Sequence, residues 1–186
     1  GENGYYTPIL DPSALRTNST LTGATNGKTF TFSAWVRNIG GFPLIIFDNK
    51  PSNGSTGISI VITTGGLLVF DFIGTDNLTK FNANYQLANQ AEWTHVLFSV
   101  DLSSGSHGAY VNDVNVTASV NWNTEVDADI NFTSGTDQRI GQQYNGSMSK
   151  GGLSNVFLSF DYTNLNVEEN RRKFITAAGE PASANT

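Results

Sequence analysis

The hydrophobic positions along this chain recur with a period of two, the spacing of a half-buried β-strand rather than of a helix. In Thr29-Phe30-Thr31-Phe32-Ser33-Ala34-Trp35-Val36-Arg37 one face carries Phe30, Phe32, Ala34 and Val36, and the other is polar until Trp35. Gly57–Thr63 and Leu67–Ile73 flank Thr64-Gly65-Gly66, which predicts two strands and a tight turn. Trp93–Asp101 and Gly108–Thr117 predict two more, joined by the loop-forming run Leu102-Ser103-Ser104-Gly105-Ser106-His107. Shorter strands are expected at Leu44–Asp48, Ile130–Thr133, Asp137–Gly141 and Gly152–Tyr162. Strands about every ten residues, with turn chemistry between them, predict an all-β fold: an antiparallel sandwich or jelly roll.

One segment departs from this period. Asn166–Ile175 predicts a short helix, with Asn166 as N-cap, Glu168 and Glu169 in the first turn, and Arg171, Arg172 and Lys173 toward the C-terminal end. The three bases read as complements of the helix dipole on a solvated face. From Gly179 the periodicity stops, so residues 179–186 are expected to form an exposed tail. With no internal repeat and no linker, residues 1–178 read as a single domain.

Composition narrows the chemistry. Among 186 residues there is no cysteine and there are two histidines, His95 and His107, which excludes disulfide scaffolds, thiolate nucleophiles and histidine-rich metal centres. A net charge of −6 with only 10 basic residues argues against wrapping nucleic acid. No apolar run approaches the ~20 residues of a membrane helix, and no secretory leader is visible after Gly1, which reads as a trimmed start. Asn, Thr, Ser and Gly make up about two-fifths of the chain, a strand-and-turn composition with a weakly charged surface. The six Asn-x-Ser/Thr sites follow from that composition.

Several of these strands resemble a known family. Phe32-Ser33-Ala34-Trp35-Val36 resembles the early F-S-x-W strand of laminin-G-like, concanavalin A-like lectin/glucanase domains. Trp93-Thr94-His95-Val96 and Ala109-Tyr110-Val111-Asn112-Asp113 resemble that family's W-x-H-V and L-Y-V-N-G pair, with Asp113 in place of the usual turn glycine. Ile140-Gly141, Gly146 and Leu153-Ser154-Asn155-Val156 are similar to its closing pattern. Leu21–Trp35 and the run Asp161-Tyr162-Thr163-Asn164-Leu165-Asn166-Val167-Glu168-Glu169-Asn170-Arg171-Arg172-Lys173-Phe174-Ile175 resemble laminin-G-like domains of bacteriophage tail and virion proteins. The resemblance implies a non-catalytic virion-surface module of structural, decorating or adhesive role, meeting host-surface glycans. It also implies other capsid or tail proteins as partners, in a symmetric assembly, with neither nucleic acid nor membrane bound. The alternatives are a lectin domain of a non-viral extracellular protein and a glycoside hydrolase.

The hydrolase alternative rests on Glu125-Val126-Asp127-Ala128-Asp129, which resembles the E-x-D-x-E strand of laminarinase-type glucanases. In a strand, positions two apart share a face, so the three carboxylates would line up. Asp129 stands where that motif has Glu, and the segment falls where the laminin-G-like pattern places a rim, so the expected reading is a solvated acidic rim. Laminin-G-like domains often carry calcium at the rim; no cofactor is required, and Asp127 with Asp129, or Asp48, are the candidate calcium ligands. Trp122, flanked by amides in Val120-Asn121-Trp122-Asn123-Thr124, is the tryptophan expected to keep a partly exposed ring, so Trp122, Asn123 and Asp127 form the candidate glycan site. Trp35 and Trp93 read as core, His95 as a strand residue with a satisfied ring, and His107 as a turn residue.

Overall fold

The computed structural model describes residues 15–17, 24–38, 42–89, 91–135, 137–146 and 149–182. Leu21–Gly23 of the phage-like opening run and the tail's last residues, 183–186, lie outside the described residues. The strands are β1 (Leu15–Thr17), β2 (Thr29–Asn38), β3 (Leu44–Asp48), β4 (Gly57–Ile62), β5 (Leu67–Ile73), β6 (Thr79–Gln86), β7 (Thr94–Asp101), β8 (Ser106–Val111), β9 (Val114–Asn115), β10 (Asn121–Glu125), β11 (Gln138–Ile140) and β12 (Gly151–Ser159). They form a seven-stranded sheet, β1-β11-β3-β4-β5-β6-β10, packed on a five-stranded sheet, β12-β2-β7-β8-β9. Every described pairing is antiparallel, giving the β-sandwich that the alternation predicts. Among the described residues no helix is long and apolar enough to cross a membrane.

The alternation of β2 does what it predicts. Phe30, Phe32, Ala34 and Val36 enter the core, where they meet Phe70 and Phe72 of β5, Phe81 of β6 and Phe98 of β7. Three strands escape the sequence reading, β1, β6 and β10; in the last two, Asn and Gln interrupt the apolar pattern of Phe81, Ala83 and Tyr85 and surround Trp122. Ile130–Thr133, expected as a strand, makes only an isolated bridge to Gly27. Gly108–Thr117 is broken by a hairpin turn, with Asn112 at φ 48° and Asp113 at φ 63°. Both values lie in the left-handed region that Asn and Asp tolerate, which is how Asp113 replaces glycine.

After β12 the chain crosses the outer face of the five-stranded sheet as a strap. Thr29 and Thr31 donate their hydroxyls to the carbonyls of Phe160 and Asp161, and Thr163 N–H donates to Ser99 Oγ at 2.8 Å. Leu165 packs on Leu97 and Tyr110. The polar face of β2 is therefore buried by hydrogen bonding rather than left in water. Within the strap the helix is shorter than expected, α1 (Glu168–Arg171), and begins at Val167 without a side-chain cap. Asn166 is not its cap; its amide oxygen instead accepts the Tyr110 hydroxyl.

Of the bases of the strap, Lys173 is exposed as expected, but Arg171 and Arg172 are not a solvated face. Arg171 Nε and Arg172 Nη1 donate to the two oxygens of Asp113 at 2.7 Å each, and the Arg171 guanidinium lies over the Tyr110 ring. Burial would raise the Asp113 carboxyl, but these two guanidinium bonds outweigh it and hold it below the usual carboxylate range. Asp113 thus serves the turn and clamps the strap. Asp113→Gly separates the two roles, because glycine takes the left-handed turn freely but cannot hold the arginines. The variant should melt a few degrees lower, about 1 kcal/mol discounted for partial exposure. Its amides over 160–175 should exchange hydrogen faster, while those of β7 and β8 stay protected.

Candidate functional site

Strand alternation divides the expected glycan site. Trp122 turns inward, where its ring stacks on His107 at 4.1 Å, approaches Phe81 and Phe98, and donates its indole N–H to Thr117 O at 3.1 Å. It remains partly exposed, but one ring face is covered by His107. Asn123 lies on the exposed side and donates to Asn82 Oδ1 at 2.9 Å. Asp127 lies beyond the strand, where its carboxylate pairs with Lys28 Nζ at 2.8 Å. Sequence proximity does not bring the three into one surface.

The acidic run meets the same limit. Strand β10 stops at Glu125, so the rule that alternate residues share a face does not extend to Asp127 and Asp129. Glu125 Oε1 lies 2.8 Å from His107 Nδ1, and the pair closes one open side of the sandwich between β10 and β8. His107 is accordingly a strand residue with two partners, not a turn residue. The residues do not fit a calcium ion, because Lys28 already supplies a cation to Asp127 and among the described residues no group of three or more His, Asp or Glu converges. Asp48, the other candidate ligand, is fully buried on the outer face of the seven-stranded sheet and paired with Arg139 Nη1 at 3.0 Å. It stands in a cross-strand row, Arg139–Asp48–Ser59–Asp71–Asn82, in which Lys50 holds Asp71. The acids of this face are thus committed to internal ion pairs.

Another candidate site lies at the end of the sandwich where the chain crosses from β6 to β7. A cavity of about 150 Å³ opens there, with Tyr85 and Trp93 as its aromatic walls and Leu87 and Val111 as its apolar lining. Asn89, Glu92 and Asn112 supply the polar groups. Trp93 is half-buried rather than core, and its six-membered ring rests on Gly152 of β12, where a Cβ would come within 2.6 Å of it. The ring's position therefore depends on a missing side chain two strands away from its own.

Local hydrogen bonds aim the amides. Asn89 Oδ1 accepts from Ala91 N–H at 3.0 Å and Asn112 Oδ1 accepts from His95 N–H at 2.8 Å, which leaves each Nδ2 to donate outward. Arg37 Nε donates to Ala91 O at 2.9 Å and ties the connection to β2. The Glu92 carboxylate has no ionic or hydrogen-bonding partner among the described residues. Two outward donors, one anionic acceptor, a phenol and two rings thus converge on one small concavity, an arrangement suited to a polyhydroxylated ring. The sequence motif around Trp93 concealed this. The signal that could have found it is position: Trp93 stands at the start of its strand, directly after the polar run Asn89–Glu92, and strand ends are half-exposed.

Other buried polar atoms without a partner lie on both sheets: Gln138 of β11 and Ser59 of β4 on one, His95 and Trp35 on the other. His95 Nε2 meets Ser33 Oγ at 2.8 Å, but its Nδ1 and the neighbouring Trp35 Nε1 have no hydrogen-bond partner, so the ring is half satisfied rather than fully. Burial pushes the imidazole down to about 4.

A laminin-G-type family model described as the concanavalin A-like lectin/glucanases superfamily matches residues 13–159. No curated protein matches the chain. Among solved structures, the native heptameric SAP-like pentraxin from Limulus polyphemus is 16% identical with a TM-score of 0.54, covering 93% of this chain and 78% of that one. The binding domain of botulinum neurotoxin DC, in complex with rat synaptotagmin II, is 17% identical with a TM-score of 0.53 over 75% of this chain. A structure of botulinum neurotoxin type C, whose cell entry depends on interaction with two ganglioside molecules, is 13% identical with a TM-score of 0.53 over 77% of this chain. The chain spans about a third of the length of either toxin chain, 34% in both cases. At these identities the likeness is one of fold.

Proposed function

The chain belongs to the concanavalin A-like lectin/glucanases superfamily, and from that premise we propose that it is a non-catalytic carbohydrate-binding module. The observation that carries the reading is the end cavity, where Trp93 and Tyr85 stand beside the unpaired Glu92 carboxylate and the outward amides of Asn89 and Asn112. Aromatic rings take the C–H face of a sugar, while an acid and amides take its hydroxyls. A hydrolase would need two carboxyls facing one cleft, ~5–9.5 Å apart depending on stereochemistry. Of the acids in Glu125–Asp129, Glu125 instead pairs with His107 and Asp127 with Lys28, and the strand that would align Asp129 with them ends at Glu125.

We place the module on the surface of a bacteriophage virion, in a capsid or tail, where it would act in decoration or adhesion. The support for that setting is the run Asp161–Ile175, which resembles phage virion proteins and which here forms the strap and its clamp on Asp113. Mass analysis of purified particles that found no copy of the chain would overturn the setting and leave the binding reading in place.

Glu92 and Asn89 are exposed and hold no core, so Glu92→Ala and Asn89→Ala should leave the melting temperature within about 1 °C. On a glycan array Glu92→Ala should lose about tenfold or more of the wild-type signal, the scale of a hydrogen bond to a charged group, and Asn89→Ala about two- to tenfold, the scale of a neutral one. A wild-type array without a hit, or a hit that both variants retain, would rule out the cavity as the binding site.

A further inference from the structure

We propose that the end cavity selects an acetamido sugar, a hexose carrying an N-acetylated amine; this rests on the carbohydrate-binding reading above and names its ligand class. The cavity pairs apolar and polar chemistries inside one small space. A plain hexose can offer its C–H faces to the two rings, but its rim of hydroxyls gives no use to Leu87 and Val111, which line the cavity beside them. An acetamido group has a methyl that needs an apolar surface, an N–H that needs an acceptor and a carbonyl that needs a donor.

Each requirement has a counterpart here. The methyl is taken by Leu87, Val111 and the Trp93 ring. The N–H is taken by Glu92, whose carboxylate has no other described partner. The carbonyl is taken by the outward Nδ2 of Asn112 or Asn89, whose own oxygens are already occupied by backbone N–H groups. An anionic sugar is disfavoured, because no lysine or arginine lines the cavity and Glu92 would repel it. A free amine would satisfy Glu92 but would bring a charge against the apolar lining, with nothing for the amide donors to bond. A cavity of about 150 Å³ has room for the substituent and part of one ring, so the recognised unit is a single residue of a longer chain or a terminal sugar.

The test is a titration of the intact protein with the methyl glycosides of N-acetylglucosamine, N-acetylgalactosamine, glucose, galactose and glucosamine. It is followed by ¹H–¹⁵N spectra that resolve the Trp93 indole and the Asn89 and Asn112 side-chain amides. At least one acetamido glycoside should bind about tenfold tighter than its parent hexose and than glucosamine, and should shift those resonances. Glu92→Ala should remove that preference with the fold unchanged. Equal affinity for hexose and acetamido sugar would overturn the inference while leaving a carbohydrate-binding cavity. Tightest binding of the amine would overturn it in favour of recognition by charge. If no glycoside moved the cavity resonances, both the inference and the reading beneath it would fall.

Discussion

Phe70→Ala is expected to lower the melting temperature by about 10 °C or more, a loss set by how many rings meet at this one side chain. Phe70 projects from the middle of β5 and is fully buried. Its ring lies within 4.7–6.3 Å of five others, those of Phe30, Phe32, Phe72, Phe81 and Phe98. Those partners come from both sheets, so the ring is a contact between the layers as well as within one. Deleting a buried phenyl group costs ~3–5 kcal/mol, because the transfer energy is lost and the surrounding rings collapse only in part. For a domain near this size each kcal/mol corresponds to ~2–4 °C. Phe70→Leu, which retains most of the volume, should recover more than half of the loss. Calorimetry distinguishes the two; an alanine variant that melted within a few degrees of wild type would mean that the two sheets do not pack through this cluster.

That cluster was legible in the sequence in part. Phe30 and Phe32 sit in a run whose large apolar residues alternate with polar ones, and the strand period alone assigns them to one face. Phe70, Phe72 and Phe98 sit in runs readable as strands but with apolar residues on both faces, so the period does not choose their side. Phe81 belongs to β6, where Asn82 and Asn84 occupy the outer positions; both have low strand propensity, so the same alternation is harder to see. The strap was legible as an unusual run but not as a strap. Its meaning depends on Asp113, 58 residues before Arg171, and the pairing of a turn residue with a helix is not encoded in either segment alone.

The cavity was less legible still. Tyr85, Trp93 and Val111 come from three separate strands or strand ends, and the Trp93 ring keeps its position because Gly152, on a fourth, has no side chain. Residues chosen by closeness in sequence, Trp122, Asn123 and Asp127, face three different ways, because a strand alternates its side chains and then ends. A binding surface on a sandwich is assembled across strands and not along them. Reading along one strand finds the core and misses the site.

Two buried titratable groups, one on each sheet, should make the acid response of this protein nearly level where either alone would tilt it. His95 lies beneath the strap, and burial pushes its imidazole from an ordinary 6.5 down to about 4, against a smaller opposing pull from Asp113. As pH falls from about 6.5 to 4 the unfolded chain takes up this proton first, so the folded state loses stability. Asp48 lies on the far side of the sandwich, and burial pushes its carboxyl from 3.8 up to about 6, against the opposing charge of Arg139. As pH falls from about 6 to 3.8 the folded chain takes up that proton first, so the folded state gains stability. Each contribution is about 3 kcal/mol in full and the signs are opposite. The melting temperature should therefore stay nearly level from pH 6.5 to 4. It should fall below that, where the carboxylates held low by their partners, Asp113, Asp76 and Asp101, become protonated. Asp48→Asn removes the compensating term but leaves Arg139 its bonds to Asp137 and the Lys50 carbonyl. That variant should lose about 8 °C between pH 6.5 and 4, and His95→Gln should instead gain stability between pH 6 and 4. Melting profiles of the three proteins decide the matter. If all three ran parallel, neither group would carry its burial into stability; if the wild type alone were level, the balance would reside in two groups on opposite faces of one sandwich.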